Sequence, residues 1–252
     1  MISKKILLLV GISIVVLLSV LLIAGSELND IENESAEVVV PPLPNESISV
    51  MDQLRFTDKS VLVVAPLLTA NAYRYLGFYD TFRGECDETC LSLQLDLKIR
   101  YGYTSSGSAL VYFNNLGIPI IDDYTISLNL EILDLYQKII MLHTEYVTME
   151  FYETITNHPN VYFMYPNALY AEIELNDGVM TLIKGKGYPK DDPPAQANAF
   201  DWEFENTAVE EYDLECIDFK WKKIANGYQL NCYPELVLSE KPEIIEFILE
   251  DR

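Results

Sequence analysis

The hydrophobic pattern of this chain begins with an unbroken apolar run of nineteen residues, from Ile6 to Ala24. A helix of that length reaches about 28 Å, close to the hydrocarbon thickness of a bilayer. Two lysines precede the run and acidic residues follow it, which places the remaining chain outside the cytoplasm. The pattern predicts a cytoplasmic tip at 1–5 and a single-pass membrane anchor at 6–24. A cleaved signal peptide is the alternative, although its apolar region is usually only about 7–15 residues long.

Residues 25–57 carry acidic side chains and three prolines without any sustained hydrophobic period. Prolines favour extended backbone, so this segment is predicted to be a semi-stiff tether between the membrane and a folded domain. Asn33 and Asn45 each begin an N-glycosylation triplet in this stretch.

From residue 58 to 190 short β-branched runs alternate with helix-like repeats. In chain order the pattern predicts a strand at 60–66, a helix at 106–116 closed by Gly117, a strand from Ile118, a strand at 137–143, a helix capped by Thr148, and a strand at 161–166. Such alternation predicts an α/β domain with a mostly parallel sheet and helices on both faces.

Two stretches of this domain and the C-terminal region depart from the alternation. Leu91 to Ile99 alternates apolar and polar residues, as in a half-exposed strand, and 168–183 reads as a hairpin turning at 176–178. Residues 191–252 are predicted to be an extension packed on the sheet, with a turn at Asn226-Gly227 and a closing helix from about Lys241. The simplest interpretation of that extension is a hairpin lid.

The net charge of −22, from 39 acidic against 17 basic residues, would repel phosphate backbones and therefore excludes nucleic acid as a partner.

Four cysteines lie on the side that the anchor places outside, which favours two disulfides. Three pairings are open, and Cys86–Cys90 with Cys216–Cys232 has the lowest cost of loop closure. A four-cysteine zinc site is the alternative, but the fifteen residues between the second pair do not match its usual spacing.

Functional groups of parallel α/β sheets gather at the carboxyl ends of the strands. Three stretches occupy such ends here: the residues after Pro66, the residues from His143 to Tyr146, and those from Pro166 to Tyr170.

The residues at these ends resemble a known family. The stretch PLLTANAYRYLGFYD at 66–80 looks like the strand-end motif of the C-terminal domain of the N,N-dimethylformamidase large (beta) subunit family, and 116–173 is similar to that domain throughout. The family's Glu-Tyr-Trp-Thr tetrad has its counterpart in 145–148, and its later Gly-Asn pair and Tyr in Asn167 and Tyr170. The resemblance implies a flavodoxin-like sheet similar to that of class I glutamine amidotransferases.

The family's enzymes are similar iron-dependent amidohydrolases with tyrosine and glutamate ligands. The resemblance therefore implies Tyr73 and Glu145 as ligands of an iron ion, with His143 as a proton carrier or orienting residue. It also marks Tyr146, Asn167 and Tyr170 as binding residues for a small-molecule ligand.

Several positions depart from the family pattern. Arg74 replaces an asparagine, Thr144 replaces a proline, and 157–160 replaces a Gly-Gly segment, while the sequence before Val61 reads as tether and anchor instead of the enzyme's preceding large domain. A second tyrosine ligand has no motif behind it. Its candidates are Tyr79, Tyr124 and Tyr146.

Each candidate also has a structural interpretation. Glu145 could complement the dipole of the following helix, an effect of about 0.3–1 kcal/mol, the tyrosines could be packed aromatics, and His143 could be hydrogen-bonded at a strand end. Neither a Gly-x-Ser-x-Gly motif, a phosphate-binding glycine loop nor a nucleophilic cysteine is present.

Two functions remain open. We favour a membrane-tethered, non-catalytic domain that binds a small molecule or a protein, and the alternative is a divergent metal-dependent amidohydrolase acting on small amides.

Overall fold

The structure is a computed structural model that describes residues 60–102, 106–185, 188, 199–200 and 213–250. The predicted anchor, the tether and both glycosylation triplets lie outside these residues. Among the residues that are described, no helix combines the length and apolarity needed to cross a bilayer.

The described elements follow the predicted alternation of strands and helices. The strands are β1 (Val61–Ala65), β2 (Ser92–Gln94), β3 (Ile120–Asp122), β4 (Lys138–Met141), β5 (Tyr146–Val147), β6 (Val161–Phe163), β7 (Ala171–Asn176), β8 (Val179–Lys184), β9 (Trp221–Ile224) and β10 (Gly227–Leu230). The α-helices are α1 (Leu67–Tyr73), α2 (Phe78–Phe82), α3 (Gly107–Asn115), α4 (Asp123–Leu128), α5 (Met149–Asn157) and α6 (Glu243–Glu250), and 3₁₀ turns span Glu88–Leu91 and Leu130–Leu135.

The main sheet has six strands in the order β3-β1-β4-β6-β10-β9. Every neighbouring pair is parallel except β10 with the edge strand β9. This confirms the prediction of a mixed α/β domain built on a mostly parallel sheet. In chain order the first four strands run 2-1-3-4, so the strand order reverses between β1 and β4, and the carboxyl ends of strands at such a point are the usual ligand-binding position in this type of sheet.

The strands of this sheet are buried on both faces, which explains why their sequences are continuously apolar. Val61 and Val63 of β1 pack with α3 and α6 on one face, whereas Leu62 and Val64 pack with α4 and α5 on the other. Helices therefore cover both faces, as predicted.

A second sheet of four strands, in the order β2-β8-β7-β5, was not predicted as a separate sheet. Its β7–β8 hairpin turns at Asp177 and Gly178, both with positive φ, which confirms the predicted hairpin. The strand predicted at 91–99 is wrong in length, because only Ser92–Gln94 pairs with β8. Beyond Leu95 the apolar alternation fails, since Leu97 is exposed.

The C-terminal hairpin extends the main sheet instead of lying on it as a cover. Strand β10 pairs in parallel with β6, and Gly227 stands opposite Val161. A Cβ at Gly227 would lie 1.8 Å from the Val161 carbonyl oxygen, so glycine is required at this approach. The extension is therefore part of the scaffold that positions the strand ends.

Both predicted disulfides are present, Cys86–Cys90 and Cys216–Cys232, with Cα–Cα distances of 6.1 and 5.4 Å. The second one joins the segments that flank the β9–β10 hairpin.

Candidate functional site

Three strand ends bring the predicted site residues together. Tyr73 ends the helix after β1, His143 and Glu145 follow β4, and Asn167 follows β6. All of them meet beside the point where the strand order reverses, as expected for a doubly wound sheet.

Glu145 is the centre of the cluster and is only 1% exposed. Its backbone is fixed on both sides: its N–H donates to Thr69 Oγ1 at 2.9 Å, and its carbonyl accepts from the N–H groups of Tyr170 and Ala171. Helix α5 begins only at Met149, and its N-terminus is capped by the Thr148 side chain. The interpretation of Glu145 as a helix-dipole residue is therefore not supported.

One carboxylate oxygen of Glu145 faces two phenols. The Tyr73 hydroxyl donates to Oε2 at 2.8 Å, the Tyr79 hydroxyl lies 3.3 Å from the same oxygen, and the two hydroxyls are 3.2 Å apart. The Tyr73 and Tyr79 rings also pack together, with centroids 4.4 Å apart. Of the candidates for a second tyrosine, Tyr79 is the one whose oxygen contacts both Tyr73 and Glu145.

The other oxygen, Oε1, faces an amide and an imidazole. Asn167 Nδ2 donates to it at 2.5 Å, and His143 Nε2 lies 3.2 Å away. Because Oε1 is occupied by these two side chains, Oε2 is left to the phenols, and the carboxylate plane is fixed.

Burial and the nearby Glu145 charge raise the pKa of the Tyr73 phenol well above its usual value. The same two causes raise the pKa of Tyr79. Both phenols are therefore neutral donors at physiological pH when no cation is bound. A bound multivalent cation reverses this preference, because it stabilises phenolate.

The donor set fits a small, hard cation. Cis oxygens of an octahedral ion bound at roughly 2.0–2.1 Å lie about 2.9 Å apart, and the three oxygens of Tyr73, Tyr79 and Glu145 are separated by 2.8 to 3.3 Å. Phenolate and carboxylate oxygens are hard donors that suit ferric iron. Within the described ranges, no group of three or more His, Cys, Asp or Glu side chains could hold a metal, so any such site depends on the tyrosines.

Tyr146 and Tyr170 lie next to this cluster. Tyr146 is fully buried, its pKa is raised by burial and by Tyr79 and Glu145, and its hydroxyl has no well-aligned hydrogen-bond partner among the described residues. Its ring contacts those of Phe78 and Tyr170. Tyr146 and Tyr170 therefore border the cluster, while Tyr124 packs in the hydrophobic core beside it.

On the side of His143 away from Glu145, the Tyr233 hydroxyl lies between the imidazole and a second carboxyl group, that of Glu235. His143 Nδ1 is 3.3 Å from the Tyr233 hydroxyl, and that hydroxyl donates to Glu235 Oε2 at 3.0 Å. Burial raises the pKa of Glu235 to about 8, against the opposing effects of Tyr233, Ser108, His143 and Ser106. Hydrogen bonds therefore connect His143 Nδ1 through Tyr233 to a carboxyl group that is protonated at neutral pH, while His143 Nε2 lies 3.2 Å from Glu145 Oε1.

Tyr233 and Glu235 were missed in the sequence analysis, which interpreted their region as a lid. They follow Cys232 after β10, so the parallel pairing of β10 with β6 brings them to the same strand ends as Asn167. The local signal is weak: a single acidic residue in the stretch 230–238, just after a predicted disulfide.

The departures from the family motif do not remove the donors around Glu145. Arg74 points to Asn71 Oδ1 and to the Gln94 carbonyl. Thr144 is buried, and its backbone N–H bonds to the Leu142 carbonyl.

Comparison of this chain with models of protein families, with curated proteins and with solved structures finds no match.

Proposed function

We propose that this chain is a divergent, iron-dependent amide hydrolase of the dimethylformamidase type, anchored in a membrane with its catalytic domain outside the cytoplasm. One observation carries the proposal: the hydroxyls of Tyr73 and Tyr79 and Oε2 of Glu145 lie within 2.8–3.3 Å of one another in a buried cluster. The motif resemblance at 66–80 and 116–173 supports it, and the apolar run at 6–24 supports the anchor.

A bound ferric ion would supply Lewis acidity toward a small amide and toward a water molecule. The residues that would hold it are Tyr73, Tyr79 and Glu145. Asn167 and His143 hold the other carboxylate oxygen, which keeps Oε2 directed at the phenols.

Amide hydrolysis gives a carboxylic acid and an amine, so the departing nitrogen must receive a proton. His143 lies beside the Glu145 cluster and would give that proton from Nε2, and Glu235, which its pKa of about 8 keeps protonated at neutral pH, would replace it at Nδ1 through Tyr233 once the Tyr233 hydroxyl turns from Glu235 to His143. Tyr233 and His143 connect Glu235 to the Glu145 cluster by contacts of 3.0, 3.3 and 3.2 Å. His143 would thus lose a proton at Nε2 to the departing nitrogen and gain one at Nδ1 from the Glu235 side.

The test is iron analysis and absorbance spectroscopy of the full chain purified in detergent under oxidising conditions, followed by hydrolysis assays with formamide, acetamide and N,N-dimethylformamide. We expect stoichiometric iron and a visible tyrosinate-to-iron charge-transfer band. Both should disappear in Tyr73→Phe. The matched control is Tyr152→Phe, because the Tyr152 ring stacks on Phe200, outside the Glu145 cluster.

A folded protein that takes up no iron during reconstitution with ferric salts would overturn the proposal. Iron retention in Tyr73→Phe would show that the metal binds without the cluster, and iron loss in Tyr152→Phe as well would show that the loss is not specific to the cluster.

A second candidate is a non-catalytic binding domain with the same fold. It is favoured by one observation: the donors around Glu145 hydrogen-bond both carboxylate oxygens, so the charge is compensated by the protein alone. Binding of a small amide without turnover, measured by calorimetry on the iron-free chain, would support this candidate.

A further inference from the structure

Ser106 has a backbone conformation that side chains rarely adopt. It lies immediately before α3 with φ 71° and ψ 25°, in the left-handed region, and it is completely buried. Non-glycine residues in this conformation are strained, and they persist where the surrounding structure holds them.

The hydroxyl of Ser106 does not cap its own helix, which is the usual role of a serine at this position. Instead it donates to the Tyr165 hydroxyl at 3.0 Å and accepts the backbone N–H of His143 at 3.1 Å. It therefore ties the start of α3 to the end of β4.

The cap of α3 comes from Glu235, which is distant in sequence. Glu235 Oε1 accepts the N–H of Ser108 at 3.2 Å, and the nearby backbone of Ser106 also acts to lower the pKa of this carboxyl group. Ser106 thus bonds through its hydroxyl to the main chain of His143, and it lies two residues before Ser108, whose N–H bonds to Glu235.

We propose that Ser106 is the positioning residue that holds Glu235 and Tyr233 against His143, its left-handed backbone presenting amide groups to Glu235 while its hydroxyl fixes the main chain of His143. Only the expected effect of this positioning on amide hydrolysis rests on the proposed function. The positioning itself is a property of the protein without metal.

Neighbouring packing supports a fixed backbone at this position. A Cβ at Gly107 would lie 2.3 Å from the Tyr101 carbonyl oxygen, so the chain entering α3 is closely packed. The titratable groups that face Glu235 are Tyr233, Tyr165 and His143. Ser106 contacts Tyr165 and His143 among them.

Two substitutions separate the backbone contribution from the hydroxyl contribution. Ser106→Gly removes the hydroxyl but keeps the left-handed backbone, whereas Ser106→Ala removes the hydroxyl and also disfavours that backbone. The matched control is Asp177→Gly, because Asp177 also has a positive φ of 49° but lies in the β7–β8 turn.

The readout is infrared titration of the protonated Glu235 carboxyl band in the full chain, identified by its loss in Glu235→Gln. We expect a midpoint near the wild-type value of about 8 in Ser106→Gly. In Ser106→Ala we expect the midpoint to rise by about one pH unit, because the Ser108 N–H bond and the Ser106 backbone, which both lower it, would be displaced from Glu235. Amide hydrolysis should fall roughly ten- to hundredfold in both variants, since misplacement of a group reduces the rate.

Equal midpoints in wild type, Ser106→Gly and Ser106→Ala would overturn the proposal. So would a midpoint change in Asp177→Gly of the same size as in Ser106→Ala. The infrared titration requires neither iron nor turnover, so its result stands apart from failure of the proposed function, which would appear as absent hydrolysis in the wild type.

Discussion

Two buried carboxyl groups lie on opposite sides of His143, and their surroundings differ. Glu145 accepts hydrogen bonds at both oxygens from the side chains of Tyr73 and Asn167. Glu235 accepts one side-chain bond from Tyr233 and one backbone bond from Ser108 at the start of α3, and burial raises its pKa to about 8. Both groups are buried, at 1% and 2% exposed, so the difference lies in their neighbours: two phenol oxygens beside Glu145 would suit a cation, whereas Glu235, with one phenol and a backbone N–H beside it, would suit proton donation.

The largest expected effect comes from Glu145→Gln. An amide group cannot supply the charge that compensates a ferric ion and would place an N–H group near the phenols, so iron binding should be lost. Losing an outer hydrogen-bond partner of a metal ligand lowers activity by up to about 100-fold. Glu145 would hold the ion directly, so amide hydrolysis should fall by more than that. Metal analysis and steady-state rates check this.

The matched control for Glu145→Gln is Glu174→Gln, at an exposed position of β7. It should keep both iron and activity. Iron retention in Glu145→Gln would show that iron binding does not require Glu145. The two carboxyl groups would then no longer differ in metal binding.

Glu235→Gln should affect hydrolysis while leaving iron in place. Loss of a general acid typically lowers the rate about 10²–10⁴-fold, and Glu235 makes no hydrogen bond to Tyr73, Tyr79 or Glu145 among the contacts described above. The charge-transfer band should be unchanged in this variant. Glu240→Gln, at an exposed position in the same segment, is the control.

Simultaneous loss of iron and activity in Glu235→Gln would contradict this prediction, because both carboxyl groups would then serve the metal.

The pH dependence of stability should report on the buried Glu235 carboxyl group. The folded-state pKa of Glu235 is raised from 4.5 to about 8, so the folded protein binds this proton more tightly than the unfolded chain. The resulting stabilisation is fully present below about pH 4.5 and is lost as pH rises through about 8, at roughly 1.4 kcal/mol per pH unit.

Urea unfolding of wild type and Glu235→Gln at several pH values measures this slope. The free energy of unfolding of Glu235→Gln should depend less on pH in this window, and parallel curves for the two proteins would be the contrary result. The buried Asp123, whose pKa is also raised, contributes equally to both proteins and cancels in the difference.

The smallest expected effect compares the two disulfides. Cys216–Cys232 closes a loop with a sequence separation of 16 and Cys86–Cys90 one with a separation of 4. Loop-closure entropy gives about 3 kcal/mol for the first and about 2 kcal/mol for the second. Replacing each pair by serine and measuring urea unfolding tests the order.

Removal of Cys216–Cys232 should also weaken the Glu235 side of the site, because Cys232 is adjacent to Tyr233. An equal loss of hydrolysis from removal of Cys86–Cys90 would contradict that expectation.

Local pattern was enough to predict several features of the fold. Continuous β-branched runs gave the buried strands β1, β4 and β6, since strands covered on both faces need apolar side chains at every position. Thr148 was predicted as a cap from its place before an amphipathic repeat, and the structure confirms it. The second sheet was not predicted, because β5 has only two residues and pairs with a partner that is distant in sequence.

On the site, the sequence by itself determined that His143, Glu145 and Asn167 stand at strand ends, because strand ends follow from local hydrophobic pattern and parallel strands share an edge. Tyr73, at the end of the helix after β1, was named by the motif resemblance. Only the tertiary structure decided that the Tyr79 hydroxyl lies beside Glu145 together with that of Tyr73. It also decided that Tyr233 contacts His143 and brings Glu235 to the same side of the site. The pairing of β10 with β6 and the left-handed backbone of Ser106 determine those contacts. Such contacts depend on packing between segments more than 60 residues apart, which no local periodicity records.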